Sequence, residues 1–276
     1  MKNTNQALLH KDAETICPTT VISAKEFKDF KLFLNIIKMN FNDFSIVDGA
    51  FRTYSNNRLI IVETGFRFFR GMSFEIAEIK SFLKSISTLG KKNSITVKAN
   101  DSTIVFNDQL GTYEVSRKNP ELLDNKYISD EEIMDSWLNN MDPSKLIISG
   151  SIPRIAVHRM KRASRSRSSD GILFKHDKND LTKGFLSISW KPDKSRKTDD
   201  PYELQVELKR PFIASLLENH YFKIDIQSTL FSEDDLYLTC YFTNDQNIFS
   251  IFSTKVNDLF VNIYSKSALI EDSEER

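Results

Sequence analysis

The order of elements constrains this chain most. A short strand, an amphipathic helix and an antiparallel meander follow one another, and the order returns four times without repeating residue identity. The four helices are read from near Lys25, Ala77, Ser151 and Lys209. Each follows directly on a strand: VISA–KEFK, FEIA–EIKS, IISG–SIPR and QVEL–KRPF. An antiparallel meander needs one buried face, and an amphipathic helix can cover it. The fold class predicted is therefore α+β: two similar domains, each of two strand–helix–strand-meander halves, with helices on one face of antiparallel sheets. The boundaries read are an N-terminal arm at 1–18, a first domain at 19–117, a connector at 118–143, a second domain at 144–265 and an acidic tail at 266–276.

The helices carry a second, basic face. In Lys25 to Lys38, Phe27, Phe30, Leu34 and Ile37 point one way and Lys28, Lys31 and Lys38 another. In Ala77 to Leu89, Ile79, Phe82, Leu83 and Ile86 turn inward, Lys80 and Lys84 are polar-facing, Lys91 follows, and Gly90 stops the helix. The third helix, Ile152 to Arg167, is the most basic. Ile152, Ile155, Ala156, Met160 and Ala163 share one face; Arg154, His158, Lys161 and Arg165 share the other, flanked by Arg162. Pro153 suits its first turn. The fourth helix, opened by Pro211, has only Lys209 and Arg210 at its start. Cationic faces of this kind fit phosphates, although an isolated one also fits a merely solvated surface.

Turn dipeptides Asp48-Gly49, Asn56-Asn57 and Asn100-Asp101, with Asp108 to Gly111, separate the strands. The stretch Lys118 to Pro143 breaks the rhythm. It is acidic, yet carries Leu122, Leu123, Tyr127, Ile128 and Trp137. Such residues either clamp a linker onto the body or border a peptide-binding groove.

Charge totals offer no nucleic-acid signal, because 38 Lys and Arg balance 38 Asp and Glu. Only the distribution of charge can supply one. Cys17 and Cys240 lack disulfide or metal spacing and fit a reducing, intracellular compartment. No apolar run of membrane-spanning length occurs. The histidines His10, His158, His176 and His220 match no ligand spacing, and with eight glycines there is no P-loop, dinucleotide turn or nucleophile elbow. Asp199-Asp200 and Asp234-Asp235 read as turn acids. No enzyme, cofactor or metal is expected.

The strand–helix–meander order over about residues 19–264, with its basic helices and connector, resembles the DNA sliding clamps. The type it resembles most is the two-domain, trimer-forming one of archaea, eukaryotes and some large viruses and phages. The resemblance rests on architecture, without a short diagnostic motif. It implies helices lining a central hole, sheets as the outer wall and three chains closed edge to edge by strands. It also implies partners: duplex DNA held without sequence preference, a DNA polymerase, a clamp loader, and peptides docked beside the connector. The expected phosphate contacts are Lys28, Lys31, Lys38, Lys80, Lys84, Lys91, Arg154, His158, Lys161, Arg162, Arg165, Lys209 and Arg210; the expected peptide contacts are the five connector residues above. The site of action would be a bacterial host's cytoplasm, a nucleus or a viral replication site. The N-terminal arm, the long Pro192 to Pro201 loop and the weakly basic fourth helix depart from the family. A rival use of the same fold is a monomeric polymerase accessory subunit or viral transcription factor that holds DNA on one basic face.

Overall fold

The computed structural model describes residues 18–38, 40–54, 60–132, 139, 141–156, 158, 171–176, 179–180, 182–189, 203–207, 221–222, 235–242 and 248–267. The fourth helix, the Asn56-Asn57 turn, Trp137, Lys161, Arg162, Arg165, Lys209 and Arg210 lie outside them.

Strand β1 (Thr19–Ile22) leads into helix α1 (Ala24–Ile37). Ser23 starts the helix with a capping box: its hydroxyl accepts the Glu26 N–H at 3.2 Å, and Glu26 accepts the Ser23 N–H at 2.9 Å. Phe27, Phe30, Phe33, Leu34 and Ile37 recur at helical steps and are all buried. Strands β2 (Phe44–Ile46) and β3 (Ala50–Tyr54) are joined at Asp48-Gly49, where both residues have positive φ, 47° and 76°. A type I′ hairpin requires that geometry. Next come β4 (Ile60–Gly65), β5 (Phe74–Ile76) and α2 (Ile79–Ser85), which tightens into a 3-10 turn at Ile86–Thr88 and ends at Gly90 with φ 65°. The meander β6 (Ile95–Ala99), β7 (Thr103–Asp108) and β8 (Gly111–Ser116) follows.

Both helices stand on the same face of that meander. Phe27 of α1 and Phe82 of α2 lie 6.2 and 5.4 Å from Phe106 of β7, and Phe30 meets Phe82 at 6.4 Å. Alternation along the strands puts Ile95, Val97, Ile104 and Phe106 under the helices and leaves Thr96 and Lys98 exposed on the other face. Phe30 meets Phe66 and Phe69 edge-on, each at 5.2 Å, a geometry that adds to the area buried.

The second half contains β9 (Leu146–Ile152), β10 (Gly171–His176), β11 (Lys183–Ser189), β12 (Glu203–Glu207), β13 (Tyr221–Phe222), β14 (Leu236–Phe242), β15 (Ile248–Val256) and β16 (Leu259–Ser267). The strand read as Lys145 to Ser149 runs on to Ile152, so the third helix starts later than the spacing predicts. Residues 154–156 and 158 are helical. Ile155 is a correction: assigned to the apolar face, it is 64% exposed, while Ile152 and Ala156 are buried. Pairing with β14 holds Ile152 in extended backbone, so the helical phase begins after Pro153.

Sheet partnership differs from a simple chain of meanders. β1 joins β6–β7–β8, and β2 leaves its neighbours to pair with β5. β12, read as opening the fourth unit, pairs with β11 in the order β12-β11-β10-β13. Among the described residues the largest sheet is six-stranded, β3-β4-β16-β15-β14-β9, and joins the two halves of the chain through antiparallel pairing of β4 with β16. One continuous cluster of buried apolar side chains runs from Phe27 and Phe51 to Leu236, Phe252 and Ile263 on the inner face of that sheet.

Candidate nucleic-acid interface

The helices expose cations away from the sheets. Burial of Phe27, Phe30 and Leu34 turns Lys28 outward on α1, and burial of Ile79 and Phe82 turns Lys80 and Lys84 outward on α2. Lys91 is exposed just beyond α2. The two helices lie side by side, so these charges belong to one surface. The nearby acids are drawn elsewhere. Glu26 is used in the cap, Glu78 accepts from the Ser81 hydroxyl, Asp29 is buried against the Asn257 amide, and Asp258 pairs with Lys25.

Two predicted cations are not open. Lys31 is half-buried: its ammonium sits 4.8 Å from the Phe27 ring centre and donates to the Leu89 carbonyl at 2.9 Å. Burial, with Lys91 nearby, holds its pKa below the ordinary lysine value. Helical spacing alone put it with Lys28; the chain leaving α2 reaches over it. Lys38 is half-buried too and donates to the Asn35 side chain at 2.6 Å.

Arg154 and His158 are exposed and adjacent, the Arg154 Nε–H donating to His158 Nε2 at 3.3 Å. The Asp235 carboxylate accepts the Arg154 backbone N–H at 2.8 Å, a capping contact with one of the helix's unpaired donors. Asp235 therefore acts as a structural acid.

A second site lies on the opposite face of the six-stranded sheet. The connector runs along β3: the Ile128 N–H donates to the Arg52 carbonyl at 2.9 Å, and the Thr53 hydroxyl to the Lys126 carbonyl at 2.7 Å. Ile128 is buried with Ile61, Phe249 and Tyr264. Beside it opens a cavity of about 650 Å³ lined by Asn42, Tyr54, Leu123, Asp124, Lys126, Tyr127, Ile128 and Glu132. Three of the five predicted peptide contacts line it. Leu122 does not; it is 66% exposed to solvent, because the 3-10 turn at Pro120–Leu122 directs Leu123 inward in its place.

The residues fixing that wall were not singled out by sequence. Arg52 pairs with both Glu63 and Asp130, and the Tyr264 hydroxyl donates to Glu63 at 2.6 Å. Burial raises the Tyr264 pKa above its usual value, and Glu63 reinforces this. Asp43 and Asn125 are buried polar residues at the connector's start. Isolated acids and amides in loops gave no pattern by which to find them.

With this geometry in hand, solved structures identify the architecture. The fold is that of the PCNA sliding clamps. PCNA from Entamoeba histolytica matches with a TM-score of 0.55 at 10% identity, over 91% of this chain and 98% of that one. The PCNA2–PCNA3 complex of Sulfolobus tokodaii matches with a TM-score of 0.53 at 9% identity, covering 91% and 99%. The A. fulgidus PCNA bound to the C-terminal region of FEN-1 matches with a TM-score of 0.58 at 12% identity, covering 92% and 99%. No family model matches the sequence, and no curated protein does. Among the described residues no helix is long and apolar enough to cross a membrane, and no group of His, Cys, Asp and Glu could hold a metal ion.

Proposed function

We propose that this protein is a DNA sliding clamp that encircles duplex DNA and tethers a replicative DNA polymerase, with a clamp loader as a further partner. The observation that carries this reading is the paired helices α1 and α2, whose exposed Lys28, Lys80 and Lys84 share one surface of a clamp fold. Cations on such a surface attract phosphates without reading bases, so contact is salt-sensitive and independent of sequence. Arg154 and His158 extend the same role to the third helix. Lys161, Arg162, Arg165, Lys209 and Arg210 are assigned to it from sequence.

Ring closure by three copies is part of the proposal. Among the described residues β8 and β12 each end a four-stranded sheet, and an unpaired strand edge is a template for another chain. Pairing β8 of one copy with β12 of the next is a heterologous contact, which closes a ring when the rotation fits. The division into domains at 19–117 and 144–265 belongs to the same reading. The connector cavity is assigned to a partner peptide.

Mass in solution, paired with retention on circular and linearised duplex DNA, tests the function. A ring gives a stable trimer that stays on circles and leaves linear DNA through its ends. A monomer with equal retention on both forms identifies instead a clamp-fold accessory subunit or transcription factor binding through one basic face.

A further inference from the structure

The start of the connector is held by two buried polar side chains that exchange bonds. Asp43 is fully buried and Asn125 is 2% exposed. One Asp43 carboxylate oxygen accepts the Asn125 N–H at 2.9 Å; the other accepts the Asp124 N–H at 2.9 Å and the Lys118 ammonium at 3.2 Å. In return the Asn125 side-chain oxygen accepts the N–H groups of Asn42, at 3.1 Å, and Asp43, at 3.5 Å, and its amide donates to the Tyr54 carbonyl at 3.0 Å. The residues fastened directly by these bonds, Asn42, Tyr54 and Asp124, line the cavity, as does Leu123, which immediately precedes Asp124.

We propose that Asp43 and Asn125 are the positioning residues of the partner site, fixing the connector wall before a peptide arrives. This rests on the reading of the cavity as that site. Apolar packing of Leu123 and Ile128 could hold the connector down, but it is non-directional. Four directed bonds to backbone N–H groups set the register and orientation of the wall. A wall ordered in advance spares the peptide the entropy of ordering it, so affinity depends on a pair that the peptide need not touch. Breaking one partner leaves buried donors unpaired and frees the connector, whereas Lys118 adds charge balance without setting the wall.

The test uses the full-length protein. The probe is a peptide selected by display from a random-sequence library on the wild-type protein, kept only if Leu123→Asp abolishes its binding. In Asn125→Ala and Asp43→Ala, amide exchange over residues 121–128 is expected to quicken by about tenfold or more while α1 and α2 keep their protection. Peptide affinity is expected to fall by about tenfold or more. Lys118→Met, which removes the half-buried ammonium but keeps all four bonds to backbone N–H groups, is expected to quicken connector exchange and weaken peptide binding less than either Asn125→Ala or Asp43→Ala. Unchanged exchange over the connector overturns the proposal. So does faster exchange with unchanged affinity, because the pair would then hold structure without shaping the site. If Leu123→Asp spares every selected peptide, the reading of the cavity itself has failed, and the positioning role falls with it.

Discussion

Replacing Lys28, Lys80 and Lys84 together by alanine isolates the electrostatics of the helical surface. All three are exposed, and their stems leave the buried faces of α1 and α2 untouched. Each phosphate neutralised contributes about 0.9 to the slope of log affinity against log salt, so three lysines contribute about 2.7 in each engaged copy. Between 50 and 200 mM salt this corresponds to about 3.5-fold per contact and about 40-fold for the three. Fluorescence anisotropy on a short duplex with free ends, repeated across that salt range, reads the slope directly. The triple variant should bind more weakly and lose salt dependence by that amount. Lys31→Ala should change the slope less than any one of those three, because its ammonium is committed to the Leu89 carbonyl. Lys98→Ala, on the sheet face away from the helices, should not change it. A triple variant with the wild-type slope, or a Lys98 effect of equal size, would refute the assignment.

Three further outcomes follow from local geometry. Gly49→Ala should lower stability in urea unfolding by about 2 kcal/mol or more, since φ is 76° and a Cβ there would sit 2.8 Å from the Phe66 carbonyl oxygen. The N–H groups of Gly90, Leu110 and Gly111 hold the Asp108 carboxyl below the usual carboxylate range; its contribution is therefore present above that range and lost as pH falls through the depressed value. Thermal unfolding of Asp108→Asn should show a deficit at neutral pH that closes in acid. Burial pushes the Cys240 thiol up to about 12, so iodoacetamide should label it only after denaturant unfolds the chain.

The periodic parts of this fold were legible in the sequence, and the partnerships were not. Phe27, Phe30 and Leu34 announce α1, and Asp48-Gly49 announces its hairpin, because each rule acts within a few residues. Nothing local in Ile60 to Gly65 says that its second partner, on the side away from β3, is β16. Lys31 shows the same limit: helical spacing sets its direction from the axis, but the Leu89 carbonyl that captures it arrives from 58 residues away. The connector was visible as an interruption. Its fastening by Asp43 and Asn125 was not, since a buried carboxylate in a loop looks like any turn acid until the opposing N–H groups are in place.

The pairing of β4 with β16 also sets a timetable for biogenesis. The Thr64 hydroxyl bonds the Phe260 carbonyl across 196 residues, a stretch that a ribosome takes about 10–40 s to make. Through that interval the nascent hairpin β3–β4 has a bare flank with no native neighbour to cover it. Such flanks invite intermolecular pairing. The emerging polypeptide therefore depends on a strand made much later to seal an early one, and chaperone dependence during translation should be concentrated on that early hairpin.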